Sequence, residues 1–166
     1  MLAAAPVVRT PRESDMPAVI DLRWRSLYEP LGLAREDFLE ECEAVDAEPE
    51  TIHVAAYDDK LLIATARIER NDTYDFYLGL MATAPMYRNK GVGSLVLQHA
   101  EDLAHQRGAE VLGLHAHPAA VAFYEKNGFT RLGKTAVGLI QHTLILAPAM
   151  EKTVRGVTRA QWLKNE

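Results

Sequence analysis

The sequence predicts a single α/β domain, and three observations lead to this. Its 166 residues, 48% of them hydrophobic and 25% charged, have the size and composition of one soluble globular unit. Short apolar runs rich in β-branched residues alternate with amphipathic helical patterns. One such run leads through a loop with two glycines, Arg88-Asn89-Lys90-Gly91-Val92-Gly93, into a helical pattern. The sequence therefore predicts alternating strands and helices, with a short strand-to-helix loop near the middle of the chain.

The elements up to residue 50 are predicted as a short strand followed by two helices. Pro6 to Thr10 contains the strand. Ser14-Asp15 supplies N-cap chemistry for a helix that has Pro17 at an early position and runs to about Tyr28. A second, acid-rich helix covers Arg35 to Val45.

The next part of the chain predicts a three-stranded meander. Ile52–Tyr57 and Leu61–Ile68 are apolar, β-branched runs, and the turn sequence Asp58-Asp59-Lys60 separates them. A third strand runs from Tyr74 to Ala82 and ends at Thr83-Ala84-Pro85.

An amphipathic helix is predicted from Val92 to about Gln106. Apolar residues at spacings of four, four and three lie on one face: Val92, Val96, Ala100 and Leu103. Arg107-Gly108 ends the helix with a cation in the last turn and glycine at C′. A strand at Val111–Ala116, a short helix at Pro118–Lys126 and a late strand at Leu139–Leu146 follow.

The loop at 88–93 is predicted to bind phosphate or pyrophosphate. Glycines between a strand and a helix expose backbone N–H groups, and the helix dipole adds about half a positive charge there. A Walker loop is excluded because Ser94-Leu95 follows Gly93, and a dinucleotide fingerprint is disfavoured because position 96 is Val96. A tight turn without ligand is the alternative. The basic pair Arg88 and Lys90, together with a second motif downstream, favours binding.

That second motif is Ala120-Val121-Ala122-Phe123-Tyr124-Glu125-Lys126-Asn127-Gly128-Phe129. Together with Arg88-x-x-Gly91-x-Gly93 about thirty residues upstream, it closely resembles the GNAT superfamily of N-acetyltransferases. The resemblance implies a mixed central sheet of about six to seven strands, flanked by helices. In that fold two central parallel strands, here about 76–82 and 111–116, splay apart. It also implies a GNAT domain over 1–150 and a C-terminal tail over 151–166, which could be helical.

The resemblance further implies that acetyl-CoA is the cosubstrate. Its pantetheine arm would bond to the strand backbone at the end of the third meander strand, and its pyrophosphate to the loop. The cofactor-binding residues implied are Met81, Ala82, Thr83, Arg88, Asn89, Lys90, Gly91, Val92, Gly93, Ser94 and His117. His117 stands where many members have asparagine, and Thr83 where many have a β-branched apolar residue.

Tyr124 is the predicted catalytic residue. In relatives the tyrosine at this place donates a hydrogen bond or a proton to the departing CoA thiolate, and phenol and thiol pKa values, near 10 and 8.5, suit that exchange. The alternative role for Tyr124 is packing, although Phe123 and Phe129 already offer aromatic contacts.

The attacking amine must lose a proton, because an alkylammonium has a pKa near 10.4. The candidates for the general base are Glu69, Asp75, His115, His117 and His142, and the sequence does not decide among them. His115 and His117 would point to one face of a strand, but a zinc site is disfavoured because no third ligand is evident. No metal is therefore expected.

The predicted function is acetyl transfer from acetyl-CoA to a primary amine of a small molecule or peptide. A non-catalytic acyl-CoA-binding or sensing module is the alternative, and a longer acyl donor is a variant of the first. The net charge of −5 argues against nucleic-acid partners, and no membrane span is expected. The single cysteine, Cys42, fits a cytoplasmic location. We expect a homodimer, because Leu139–Leu146 and the 154–162 tail offer apolar surface; folding of the tail over its own sheet is the alternative.

Overall fold

The structure is a computed structural model that describes residues 4–71, 75–140 and 143–154. In these ranges the chain forms seven strands and four α-helices. The strands are β1 Val7–Arg9, β2 Ile52–Asp58, β3 Leu61–Arg70, β4 Phe76–Thr83, β5 Val111–His115, β6 Thr130–Ile140 and β7 Thr143–Thr153. The helices are α1 Met16–Leu27, α2 Arg35–Asp46, α3 Val92–Gln106 and α4 Val121–Lys126.

The strands form one mixed sheet in the order β1-β2-β3-β4-β5-β7-β6. The β1/β2, β2/β3, β5/β7 and β6/β7 pairs are antiparallel, whereas β4 and β5 are parallel. The parallel ladder joins the beginnings of the two strands, through Phe76↔Leu112 and Tyr77↔Gly113. The predicted mixed sheet with a central parallel pair is confirmed, with seven strands.

The late strand was predicted wrongly. Leu139–Leu146 was expected as one strand, but β6 and β7 form a hairpin in which Leu139 pairs with Leu144 and Ile140 with Thr143. The predicted span therefore combines the end of β6 with the start of β7, and residues 141 and 142 between them lie outside the described residues. The domain boundary expected at residue 150 stays a prediction; residue 150 lies in β7, which ends at Thr153. Residues 155–166 of the expected tail lie outside the described residues.

The chain divides into two compact units, Met1–Glu69 with Leu78–Ala100 and Arg70–Tyr77 with Glu101–Glu166. The first has a core of fully buried residues from the helices and the meander, among them Val19, Phe38, Val54, Ile63 and Val96. In the second, the buried side chains include Phe76, Leu112, Leu114, Phe129 and Met150.

A buried charge cluster lies in the core of the first unit. Arg23 of α1 is fully buried, and its Nη2 donates to Thr65 Oγ1 at 3.3 Å and lies 3.1 Å from His53 Nδ1. Asp46 at the end of α2 lies 3.6 Å from Arg23 Nη1 and accepts from Arg67 Nη1 at 3.0 Å. Burial lowers the pKa of Arg23 to about 10, and the Asp46 carboxylate opposes that shift. One carboxylate thus faces two guanidinium groups, and this ties both helices to the sheet.

Asp46→Asn is therefore expected to destabilise the protein by about 3–5 kcal/mol, because it leaves buried guanidinium charge without its counterion. Urea denaturation measures the change in the free energy of unfolding. Asp21→Asn is the matched control, since Asp21 also pairs with two arginines, Arg25 and Arg35, but its side chain is 35% exposed. That change should cost less than about 1 kcal/mol. Equal losses for the two variants would contradict the assignment.

Candidate active site

The loop between β4 and α3 has an irregular backbone that leads directly into the helix. Pro85–Tyr87 forms a single turn of 3₁₀-helix, and Asn89 and Gly91 both have left-handed conformations, with φ of 59° and 80°. Leu95 N donates to Gly91 O at 3.2 Å, so the helical ladder begins at Gly91. The first N–H groups of a helix have no partner within the helix. The N–H groups without a helical partner therefore follow directly after Gly91, and their binding of phosphate stays a prediction.

Glycine is favoured at position 91 by the backbone conformation there, and not by a lack of space for a side chain. Its φ of +80° lies in the region that side chains rarely adopt, and a Cβ placed there would meet no heavy atom within 4 Å. Asparagine tolerates the left-handed region better than most residues, which explains Asn89. Both residues are exposed, so a ligand can reach the backbone of the turn.

The two cations of the loop, Arg88 and Lys90, each contact a residue that precedes the loop. Arg88 Nε donates to Thr83 O at 3.1 Å, which folds the arginine back on the end of β4. Lys90 Nζ lies 5.7 Å from the centre of the Tyr87 ring, and Tyr87 Oη donates to Asp58 Oδ2 at 2.9 Å. This last bond fastens the turn to the β2–β3 hairpin. Both cations are exposed, so an anion on the loop would meet two positive charges.

The strand that leads into the loop contains a feature that sequence reasoning missed. Leu80, inside β4, has a φ of +49°, although leucine is disfavoured in this region. A left-handed residue interrupts the regular alternation of a strand, and such residues concentrate at functional sites. It immediately precedes the predicted cofactor contacts Met81, Ala82 and Thr83. Nothing in the sequence signals a left-handed leucine.

Tyr124 of α4 lies in the second unit and is 8% exposed. Its ring contacts Phe123 and Phe129 edge to face, with centroid distances of 5.1 and 5.6 Å. Burial raises the pKa of Tyr124 well above its usual range, and the nearby Tyr77 adds to the shift. The phenol is therefore protonated at neutral and mildly alkaline pH, so that it can donate a hydrogen bond.

A second phenol lies in the same unit, and the sequence analysis did not single it out. Tyr77 of β4 has its hydroxyl oxygen 2.9 Å from Nδ1 of His115 at the end of β5, and the two rings are 5.5 Å apart. His115 is exposed. The pair is brought together by the parallel ladder, in which Tyr77 is the partner of Gly113.

The remaining base candidates have structural partners. Asp75 accepts from the backbone N–H groups of Glu110 and Val111, at 2.6 and 3.0 Å. Glu69 Oε2 lies 3.0 Å from Arg67 Nη2. His142 lies outside the described residues.

His117, predicted both as a base candidate and as a cofactor contact, caps the helical turn that follows it. Its Nδ1 accepts from Ala119 N at 3.1 Å. In the neutral ring this places the proton on Nε2, which can still donate to a ligand. The cofactor contact stays a prediction.

An ion pair between buried Glu101 and half-buried Lys152 fixes the C-terminal end of the Tyr124 helix. Lys152 Nζ lies 2.9 and 3.1 Å from the two oxygens of Glu101 and donates to Asn127 O at 2.9 Å. Gly128, with φ of +90°, lies against the lysine stem, where a Cβ would approach Lys152 Cε to 3.2 Å. Burial raises the pKa of Glu101, and Lys152 only partly opposes this. Desolvation of the carboxylate therefore outweighs its attraction to the lysine.

Lys152→Met is expected to destabilise the protein by about 3 kcal/mol at pH 7, because Glu101 would stay buried without its counterion. Since burial raises the pKa of Glu101, the penalty on its charged form is present at neutral pH. It is relieved as the pH falls and the carboxyl is protonated. The loss should therefore be smaller at pH 5 in thermal unfolding. The control Glu101→Gln removes the charge itself and should cost less than Lys152→Met; the reverse order would contradict this explanation.

Residues 16–129 match the model of the acetyltransferase (GNAT) family. The chain belongs to this family. The matched range contains both the loop at 88–94 and Tyr124. It also contains Tyr77 and His115, whereas Lys152 lies beyond it.

Individual relatives agree with this assignment. The chain is 28% identical over 125 residues to the N-acetyltransferase YjcF of Bacillus subtilis, covering 72% of this chain and 89% of that protein. Its fold is similar to that of the ribosomal-protein-S18-alanine N-acetyltransferase of Escherichia coli, with a TM-score of 0.72, 19% identity, and coverage of 93% and 97%. An aminoglycoside 6′-N-acetyltransferase complexed with coenzyme A also matches, with a TM-score of 0.72, 17% identity, and coverage of 89% and 97%.

The described ranges contain neither a candidate membrane-spanning helix nor a candidate metal site. Among these residues, no helix is long and apolar enough to cross a membrane. Within the same ranges, no group of three or more His, Cys, Asp or Glu side chains is arranged to hold a metal ion.

Proposed function

We propose that this protein transfers an acetyl group from acetyl-CoA to a primary amine of a small molecule or a peptide. The observation that carries the proposal is the family match over residues 16–129, which includes both the loop and Tyr124. The left-handed backbone at Asn89 and Gly91 and the exposed cations Arg88 and Lys90 support diphosphate binding.

In this proposal the loop holds the CoA diphosphate through the N–H groups from Arg88 to Gly93, with the Ser94 hydroxyl in the first turn of α3. Charge-assisted bonds from N–H groups to phosphate are stronger than neutral ones. The pantetheine arm bonds to the β4 backbone over residues 81–83, where Leu80 has already broken the regular alternation. His117 Nε2–H provides a further donor.

Tyr124 acts on the leaving group. As the C–S bond breaks, negative charge develops on sulfur, and a neutral phenol stabilises it by donating a hydrogen bond. Burial raises the pKa of Tyr124, so its hydroxyl stays protonated and this donor persists throughout the neutral range. Burial also disfavours the charged thiolate, which strengthens the tendency of sulfur to take the proton.

A panel of amines with a free-thiol readout tests the proposal. Suitable probes are a peptide with N-terminal alanine, spermidine and kanamycin, because relatives of this fold act on acceptors of these kinds. Thiol release that depends on one of these amines is expected from acetyl-CoA. Tight CoA binding without amine-dependent release from any donor, including propionyl- and butyryl-CoA, would favour the non-catalytic binding module.

We further propose that the chain forms a homodimer through β6. β7 pairs with β5 on one side and β6 on the other, so β6 is one of the two edge strands of the described sheet, and β1 is the other. An exposed edge strand is commonly covered by a partner or by the chain itself. Sedimentation at micromolar concentration, before and after deletion of residues 155–166, distinguishes a partner from the tail; a monomer in both would overturn the dimer.

A further inference from the structure

The side chains of Tyr77 and His115 form a hydrogen-bonded pair across neighbouring strands. Each lies at the end of a strand, and neither closes a turn or caps a helix. Their polar atoms meet at 2.9 Å, and the imidazole is exposed. Among the base candidates that the structure describes, His115 differs from the others: Asp75 accepts two backbone N–H groups, Glu69 is paired with Arg67, and His117 caps a turn.

We propose that Tyr77 and His115 together take the proton from the acceptor's ammonium group. Tyr77 is the catalytic residue because its hydroxyl contacts the amine, and His115 acts through Tyr77. The proposal rests on the N-acyl transfer proposed above and names the base for that reaction.

The position of the pair relative to Tyr124 supports the assignment. Burial raises the pKa of Tyr124, and an ionised Tyr77 would raise it further, so the two phenols lie within electrostatic reach of each other. The attacking nitrogen and the leaving sulfur are bonded to the same carbon in the tetrahedral intermediate, so the base and the acid must act a few ångströms apart. Tyr77 and Tyr124 belong to the same compact unit, and the proposal requires their hydroxyl groups to lie within that reach of one another.

Gly113, the residue beside Tyr77 in the parallel ladder, has no side chain. Gly113 is the ladder partner of Tyr77 on one side and of Glu151 on the other. By alternation Tyr77, Glu151 and His115 lie on one face of the sheet. The titratable groups that face the pair from neighbouring elements include Tyr124 from α4, Glu151 from β7 and Asp75, which directly precedes β4. Glu151 supplies negative charge on the face where a cationic amine would approach.

The acceptor R–NH₃⁺ gives one proton to the Tyr77 oxygen while the Tyr77 hydroxyl proton passes to His115 Nδ1, which yields R–NH₂ and an imidazolium. The amine lone pair forms the C–N bond with the thioester carbon, the C–S bond breaks, and sulfur takes the Tyr124 proton. The second proton of the nitrogen restores Tyr124, and exposed His115 releases its proton to solvent. The products are the amide, CoA thiol and one proton.

The relay requires a particular tautomer of His115. Nδ1 must accept from the Tyr77 hydroxyl, so the ring proton must be on Nε2. Imidazole ¹H–¹⁵N NMR of the full-length protein reads this directly and does not depend on activity. We expect the Nε2–H tautomer in the wild type and a changed tautomer balance in Tyr77→Phe. A dominant Nδ1–H tautomer would reverse the hydrogen bond and overturn the proposal.

The kinetic test uses the basicity of the acceptor. The best amine of the panel is compared with its analogue carrying two fluorines beside the amine-bearing carbon, which is far less basic. Tyr77→Phe and His115→Gln should lower kcat/KM for the basic amine by about 100-fold or more, as expected for loss of a general base. For the fluorinated amine, which is already neutral, the loss should be at least about tenfold smaller. Combining the two changes should add little, because they remove one relay.

The controls are Tyr57→Phe, which also loses a hydroxyl bonded at 2.9 Å to a partner, Asp15, and His105→Gln at the exposed end of α3. Both should behave as the wild type for both amines. Losses that are equal for the two amines would show that Tyr77 and His115 only support the fold. If the wild type acetylates no panel amine, the proposed function fails, and the NMR measurement still decides the direction of the Tyr77–His115 bond.

Discussion

Gly91→Val is expected to weaken CoA binding by about 100-fold while the protein remains folded. The substitution disturbs the left-handed turn and places a branched side chain where the diphosphate approaches. Losing two N–H contacts to phosphate, each worth about 1.5 kcal/mol, corresponds to this factor. Calorimetric titration with CoA measures it.

Gly108→Val is the control that separates the backbone strain caused by Gly91→Val from the effect of that substitution on CoA binding. Gly108, which ends α3, has φ of +84° against +80° for Gly91, and a Cβ would meet nothing within 4 Å at either position. Gly108→Val should therefore lose similar folding stability, about 1–2 kcal/mol, and bind CoA as the wild type does. Wild-type affinity in folded Gly91→Val would show that the loop is only a turn.

Arg88→Ala gives an independent measure of the same site. It removes one charge without altering the backbone, and loss of a charge-assisted contact costs about 1.5–3 kcal/mol. The loss should shrink with added salt, because Arg88 is exposed. A loss that does not change with salt would indicate that the Arg88 bond to Thr83 O, and not the charge, is what matters.

The features predicted from the sequence are those whose causes lie close together in the chain. Helix α3 was predicted with the bounds it has, Val92–Gln106, because its periodicity, its starting glycines and its terminal Arg107-Gly108 are all local signals. The meander was predicted for the same reason. The hairpin of β6 and β7 was missed because apolar residues continue on both sides of its turn, so two strands resemble one.

The contacts that complete the candidate site join distant positions. Tyr77 and His115 are 38 residues apart, and Lys152 and Glu101 are 51 apart. Which side chains meet depends on the register of β4 with β5 and of β5 with β7, and no residue pattern determines that register. The sequence could therefore indicate His115 as one of five candidates for the general base, but it could not predict that Tyr77 would contact it. The left-handed conformation of Leu80 is likewise a property of the assembled sheet.

Tyr124→Phe is expected to lower turnover strongly while leaving the affinity for acetyl-CoA nearly unchanged. The hydroxyl interacts with sulfur only as negative charge develops there, so its loss raises the barrier and not the binding energy. Loss of a general acid reduces rates by about 10²–10⁴-fold, and a water molecule replacing the phenol would bring the loss toward the lower end. The ring contacts with Phe123 and Phe129 are retained, so the fold should be unaffected.

The pH dependence distinguishes this role from packing. Burial raises the pKa of Tyr124, so the hydroxyl keeps its proton as the pH rises past the ordinary tyrosine value of about 10. The wild type should therefore show no loss of kcat from Tyr124 ionisation below about pH 10, and Tyr124→Phe should be slower by a constant factor across that range. Tyr57→Phe, which removes another hydroxyl whose pKa is raised, to about 12, is the control and should retain full turnover. Wild-type turnover in Tyr124→Phe on a good acceptor would show that Tyr124 serves only the packing of α4 against Phe129.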